Sequence, residues 1–114
     1  MDNKKVELWR IEQAIAHIDE AISDLKDVPF EEFANSNLLT RATAFSLSQI
    51  GEHMTRLYDL FGEAHPEIPW KEAKALRNYI VHDYQGINIR TVYKTVKEDL
   101  PSLRKALLSL LPKA

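Results

Sequence analysis

The stretch "LSQIGEHMTRLYDLFG", residues 47–62, places Leu47, Ile50, Met54, Leu57 and Phe61 at steps of 3, 4, 3 and 4. That period puts all five on one face of a helix and fits no face of a strand. It predicts a long amphipathic helix from about Ser36 to Phe61, with Gly62 as its C-terminal stop. Gly51 interrupts the run, and a glycine inside a helix costs about 1 kcal/mol relative to alanine. A close helix–helix contact at Gly51 is the simpler reading. The other is that Gly51 lets Glu52, or the helix that carries residues 77–84, approach a shared cleft in which Glu52 pairs with a nearby arginine.

The same period recurs on both sides. Leu8, Ile11, Ile15, Ile18, Ile22 and Leu25 form a heptad-like seam that predicts a helix over residues 4–26, capped by Asn3 or Asp2. Pro29 ends it, and "DVPFEEF" suits a short helical turn. Pro69 and Trp70 suit the first turn of a third helix over residues 70–83. "QGIN" breaks the chain again, with Asn88 as N-cap. Val92, Val96, Leu100, Leu103, Leu107 and Leu110 then line a last helix from 89 to about 111. Pro101 inside it predicts a kink or a split. Three long helices and one shorter one, joined by short connections, predict an all-α, up-and-down four-helix bundle.

Composition agrees. A chain of 114 residues with 45% hydrophobic and 28% charged residues fits one globular domain, residues 1–114. Three glycines and five prolines are too few for the many turns of an all-β fold. There is no cysteine, so neither a disulfide framework nor a thiolate metal site is available. No apolar run approaches the roughly 20 residues of a membrane span. "MDNKKVELWR" lacks the apolar stretch of a signal peptide, and a cytoplasmic protein is the simplest expectation. The net charge of −2 is uneven: residues 1–70 carry −7 and residues 71–114 carry +5. A basic C-terminal half is compatible with a phosphate-bearing partner or an acidic protein.

Metal chemistry finds little support. Bundle di-metal sites use Glu-x-x-His pairs, but the positions three before His17, His53, His65 and His82 are Ala14, Ile50, Gly62 and Tyr79. His17 and His53 read as histidines on solvated or boundary faces. The basic half does contain "RNYIVHDY", residues 77–84. On a helix Asn78 and His82 share a face, and the long Arg77 side chain reaches the same cleft. Tyr84 falls at the helix end, where the dipole favours His82 as a cation.

These residue types suit RNA cleavage. The 2′-hydroxyl must lose a proton and the leaving 5′-oxygen must gain one, and a histidine does either near neutral pH. Arginine holds the phosphate and stabilises its added charge without a metal. One histidine cannot easily serve both sides of the phosphate in a single step, whereas a symmetric dimer supplies two. The bland alternative is a polar helix end with Tyr84 as a packing residue.

"RNYIVHDY" has the R-x4-H-x-Y form of the HEPN ribonuclease motif. With "IGEHMTRL" (50–57), "HPEIPWKEAKALRN" (65–78) and "EDLPSLRKAL" (98–107), the chain resembles the HepT-like toxins of MNT/HEPN toxin–antitoxin pairs through about residues 4–111. The resemblance implies a HEPN-type bundle forming a homodimer whose two motifs meet at a cleft, with metal-independent endoribonuclease activity and no cofactor. It implies that Arg77 and His82 are catalytic, that Asn78 supports them, and that Tyr84 accepts AMP from ATP through a cognate minimal nucleotidyltransferase antitoxin. The expected partners are therefore RNA, that antitoxin and a second copy. Tyr93 matches an aromatic that the family usually keeps. A different class stays open: a non-catalytic helical binding subunit of a two-part nucleotidyltransferase. A plain structural bundle would show the same apolar seams.

Overall fold

The computed structural model describes residues 3–79 and 88–112. Helix α1 spans Asn3–Asp24, α2 Phe30–Ala34, α3 Asn37–Phe61 and α4 Trp70–Ala75, the last continued by a 3₁₀ turn over Leu76–Asn78. The final helix runs as α5 (Ile89–Lys94), a π-helical turn (Thr95–Asp99) and α6 (Leu100–Leu108). The described residues contain no strand. The all-α bundle expected from the seams is the observed fold, and its last helix is split as Pro101 predicts.

Local chemistry sets the boundaries. Ser36 caps α3 by accepting from the Leu39 N–H at 3.1 Å, and Asn88 caps α5 by accepting from Thr91 at 3.2 Å. Gly62 follows the last residue of α3 as expected, but its φ of −55° is right-handed, so the chain leaves through a turn rather than a left-handed cap. Pro101 has no N–H to give the carbonyl one turn back, and the π turn just before it absorbs that defect.

The seams meet in one core. Ile11, Ile15 and Ile18 of α1, with Leu25 just beyond its end, pack with Leu47, Ile50, Met54 and Leu57 of α3. Val92, Val96, Leu100, Leu103 and Leu107 close it from the last helix, and Ile22 and Phe61 sit at its edge. Burial of one such side chain contributes about 1.5–3 kcal/mol. Polar ties hold the last helix against the α1–α2 connection. Tyr93 Oη donates to the Val28 carbonyl at 2.7 Å and Lys97 Nζ to the Leu25 carbonyl at 2.6 Å. Arg104 pairs with Asp19 of α1 through Nε and Nη2.

The third helix differs from its expected span of 70–83. After Asn78, Tyr79 takes φ −81° and ψ 80°, outside the helical region. The helical run expected to carry Asn78 onward thus ends before Tyr79. His82 and Tyr84 lie outside the described residues.

Candidate functional site

The site is built around Arg77. Trp70 and Ala73 of α4 are buried, as is Leu76 at the start of the 3₁₀ turn. Trp70 is further anchored by its indole N–H, which donates to the His65 carbonyl at 2.8 Å. These anchors lay the end of α4 across α3, so that the backbone of Leu76–Arg77 rests on Gly51. A Cβ placed on residue 51 would meet the Arg77 amide nitrogen, with the Arg77 Cα at 2.7 Å and the Leu76 carbonyl carbon at 2.8 Å. The close contact expected at Gly51 is thus made with the Leu76–Arg77 backbone, at the start of the motif.

From this seat Arg77 and Asn78 project as exposed side chains. Among the described residues, no hydrogen bond or ion pair holds either one. Glu52, the neighbour of Gly51, is exposed and pairs with Arg56 one turn along its own helix, at 3.5 Å, and not with Arg77. Among the described residues nothing therefore neutralises the Arg77 guanidinium, whose five N–H donors in a planar fork suit an anion. Lys74 and Lys71 precede it at three-residue steps on the same short helix.

A cleft lies on the other side of α4. It has a volume of about 560 Å³ and is walled by Leu76, Leu100, Leu103 and Ala106. Glu67, Glu72 and Asp99 also line it, and of the motif's described residues it borders Tyr79 alone. Apolar walls and three carboxylates repel a phosphate backbone, so the exposed Arg77 face and not this cleft fits a nucleic-acid strand.

One feature was missed in the sequence. His53 is 8% exposed, not on a solvated face. Its Nδ1 lies 3.2 Å from Arg10 Nη1, its ring meets Trp9 edge-on at 5.7 Å, and it stacks on His17 at 5.8 Å. Arginine only donates, so Nδ1 accepts and the ring is neutral in this contact. Burial, then the Arg10 charge, then His17 push its pKa below the usual histidine range, while Glu52 pulls weakly the other way. His17 is half-buried, and its own Nδ1 has no hydrogen-bond partner. The available signal was position: His53 lies three after Ile50 and four before Leu57, beside the core seam.

Among the described residues no three His, Asp or Glu side chains gather in a metal-sized group, and no helix is long and apolar enough to cross a membrane.

Comparison with known proteins extends this picture. A protein named "Putative RNase" from Caldanaerobacter subterraneus subsp. tengcongensis is 34% identical over 103 residues, 90% of this chain and 92% of its own. One named "Probable ribonuclease HepT" from Thermococcus cleftensis is 37% identical over 94 residues, 82% and 83% of the two chains. A further "Putative RNase" from Methanocaldococcus jannaschii is 37% identical over 87 residues, 76% and 80% of the two. No solved structure matches the chain significantly. The family model for "Ribonuclease HepT-like" matches residues 11–110, a span that contains Gly51, Arg77 and every other residue of the candidate site, and the chain belongs to that HepT-like ribonuclease family.

Proposed function

We propose that this protein is the toxin of a toxin–antitoxin pair, a metal-independent endoribonuclease acting at a homodimer cleft through Arg77 and His82. The observation that carries the proposal is the seating of Arg77, whose backbone rests on Gly51 while its guanidinium stands exposed and, among the described residues, unpaired. Family membership and the RNase names of the relatives support the same substrate.

In this reading the RNA 2′-hydroxyl loses its proton to one His82 and attacks the adjacent phosphorus. The bond to the 5′-oxygen breaks, and the His82 of the second copy protonates that oxygen. A cyclic phosphate and a free 5′-hydroxyl result. Arg77 holds the non-bridging oxygens as charge builds on them. Asn78, exposed beside it, orients the phosphate, and Glu52 at the rim supports the site from α3. Tyr84 is the acceptor for silencing: its phenolic oxygen attacks the α-phosphorus of ATP on the antitoxin nucleotidyltransferase, loses its proton and releases pyrophosphate. The attached AMP brings negative charge and bulk beside Arg77, which excludes RNA.

The test is cleavage of single-stranded RNA by the purified, unmodified chain in EDTA. Wild type cuts, and Arg77→Ala and His82→Ala lose the activity. Cleavage that persists in His82→Ala removes that residue from the mechanism. If growth inhibition survives both substitutions and wild type cuts no RNA, a non-catalytic binding subunit of a two-part nucleotidyltransferase takes its place. For the switch, intact mass after co-expression with a cognate minimal nucleotidyltransferase rises by whole AMP units in wild type and not in Tyr84→Phe.

A further inference from the structure

We propose that Tyr58 and Lys74 form a second nucleotide subsite beside Arg77, with Tyr58 stacking one base and Lys74 holding the next phosphate of a single-stranded RNA. This rests on the ribonuclease reading and adds to it a part of the substrate track that the R-x4-H-x-Y motif does not contain.

The geometry is that of an exposed aromatic shelf beside a cationic stripe. Tyr58 is a large side chain left 41% exposed on α3. It is braced by the buried Trp70, whose ring meets it at 5.7 Å and 69°. The Lys74 ammonium lies 3.8 Å from the centroid of the Tyr58 ring. A movable cation, not a packed apolar group, thus covers part of this shelf. Among the described residues Lys74 has no ion pair. A base–aromatic stack is stronger than an exposed cation–π contact, so a nucleobase can take the ring while Lys74 turns to a phosphate.

The spacing suits a strand. Lys74 and Arg77 are separated by three residues of helical rise, about 5 Å, comparable with the step between neighbouring phosphates. Lys71, exposed and three residues earlier, continues the stripe. Asp59 and Glu63 line the hollow that borders Tyr58 on α3 and the following turn. The phosphates therefore follow the Lys71–Lys74–Arg77 side, and Tyr58 takes a base. Stacking on a ring accepts any base, so this subsite contributes affinity for single strands and little sequence preference.

The experiment measures binding of a short fluorescein-labelled 2′-O-methyl RNA, which lacks the attacking hydroxyl, by anisotropy over a range of salt. Tyr58→Leu is expected to weaken binding about tenfold with an unchanged salt slope, and Tyr58→Phe to retain wild-type affinity. Lys74→Gln is expected to lower the slope of log K against log salt by about 0.7, the loss of one single-strand phosphate contact, and Lys74→Arg to restore it. A merely structural role for Lys74 would not move that slope. If wild type binds and cleaves RNA while Tyr58→Leu and Lys74→Gln match it in affinity and slope, the subsite is wrong and the ribonuclease reading stands. If Tyr58→Phe loses as much as Tyr58→Leu, stacking is wrong. If wild type neither binds nor cleaves RNA, both readings fall together.

Discussion

Gly51 of α3 and Arg77 of the 3₁₀ turn are in backbone contact, and the space between them has no room for a methyl group. In an unconstrained helix Gly→Ala stabilises by about 1 kcal/mol. Here the new Cβ would press on the Arg77 amide and Cα, and the atoms that must yield are backbone, not a flexible side-chain tip. Gly51→Ala is therefore expected to destabilise by about 1–3 kcal/mol, the usual range for overpacking. RNA cleavage should fall further than stability alone explains, because Arg77 itself is displaced. Urea unfolding and single-turnover cleavage measure the two effects. A variant more stable than wild type would show that the contact is loose.

That contact also marks where the sequence was legible and where it was not. The seams of α1, α3 and the last helix follow from local periodicity; most of their residues are buried, with Ile22, Phe61 and Leu110 at the edge of the core and Leu8 half-buried outside it. The glycine at 51 signalled a close approach, but its partner, 26 residues further on, is set by tertiary packing. Nothing between Trp70 and Tyr84 is a helix breaker, so the sequence reads as one helix. The chain instead tightens to a 3₁₀ turn once Leu76 is buried and Arg77 meets Gly51, and it leaves the helix at Tyr79. Arg77 and Asn78 are exposed, as a site requires. His53 was misread because its partner Arg10 lies 43 residues away, beyond any local pattern. The Tyr58–Lys74 pair was missed for the same reason.

Glu52 can be separated from stability by its pairing. Its carboxylate meets Arg56 at 3.5 Å with both side chains more than half exposed. An exposed pair one helical turn apart contributes about 0.3–0.5 kcal/mol. Glu52→Gln should accordingly unfold within about 0.5 kcal/mol of wild type. Any larger drop in RNA cleavage then reports its role at the rim of the site. Equal cleavage by Glu52→Gln and wild type removes Glu52 from the supporting set.

Tyr93 joins the last helix to the α1–α2 connection in two ways. Its hydroxyl donates to the Val28 carbonyl at 2.7 Å, and its ring packs on Phe30 at 5.4 Å and Phe33 at 5.5 Å. Tyr93→Phe removes the hydrogen bond alone and should cost about 1 kcal/mol. Tyr93→Ala removes the ring as well and should cost about 3–5 kcal/mol. Chemical denaturation distinguishes them. Near-equal losses would mean that the hydroxyl, and not the ring, holds the helix.

The neutral His53 makes stability depend on pH with a defined sign. Its folded pKa is lowered from the ordinary 6.5, first by burial, then by Arg10 and His17 of α1, against a weak opposing pull from Glu52 of α3. Between the lowered value and 6.5 the unfolded chain binds a proton that the folded chain does not, so stability rises with pH there. The contribution is complete above 6.5, is lost as the pH falls below it, and levels off beneath the folded value. Glu67, whose pKa is lowered from 4.5 by the His65 hydrogen bond, acts only in a more acidic window. His53→Gln keeps an acceptor for Arg10 and cannot titrate. Its unfolding free energy between pH 5 and 7, measured in urea, should be flatter than that of wild type. Comparing the two in a His17→Gln background removes the histidine coupled to His53, so the difference between the curves belongs to His53. Parallel curves would show that His53 titrates alike in the folded and unfolded chains.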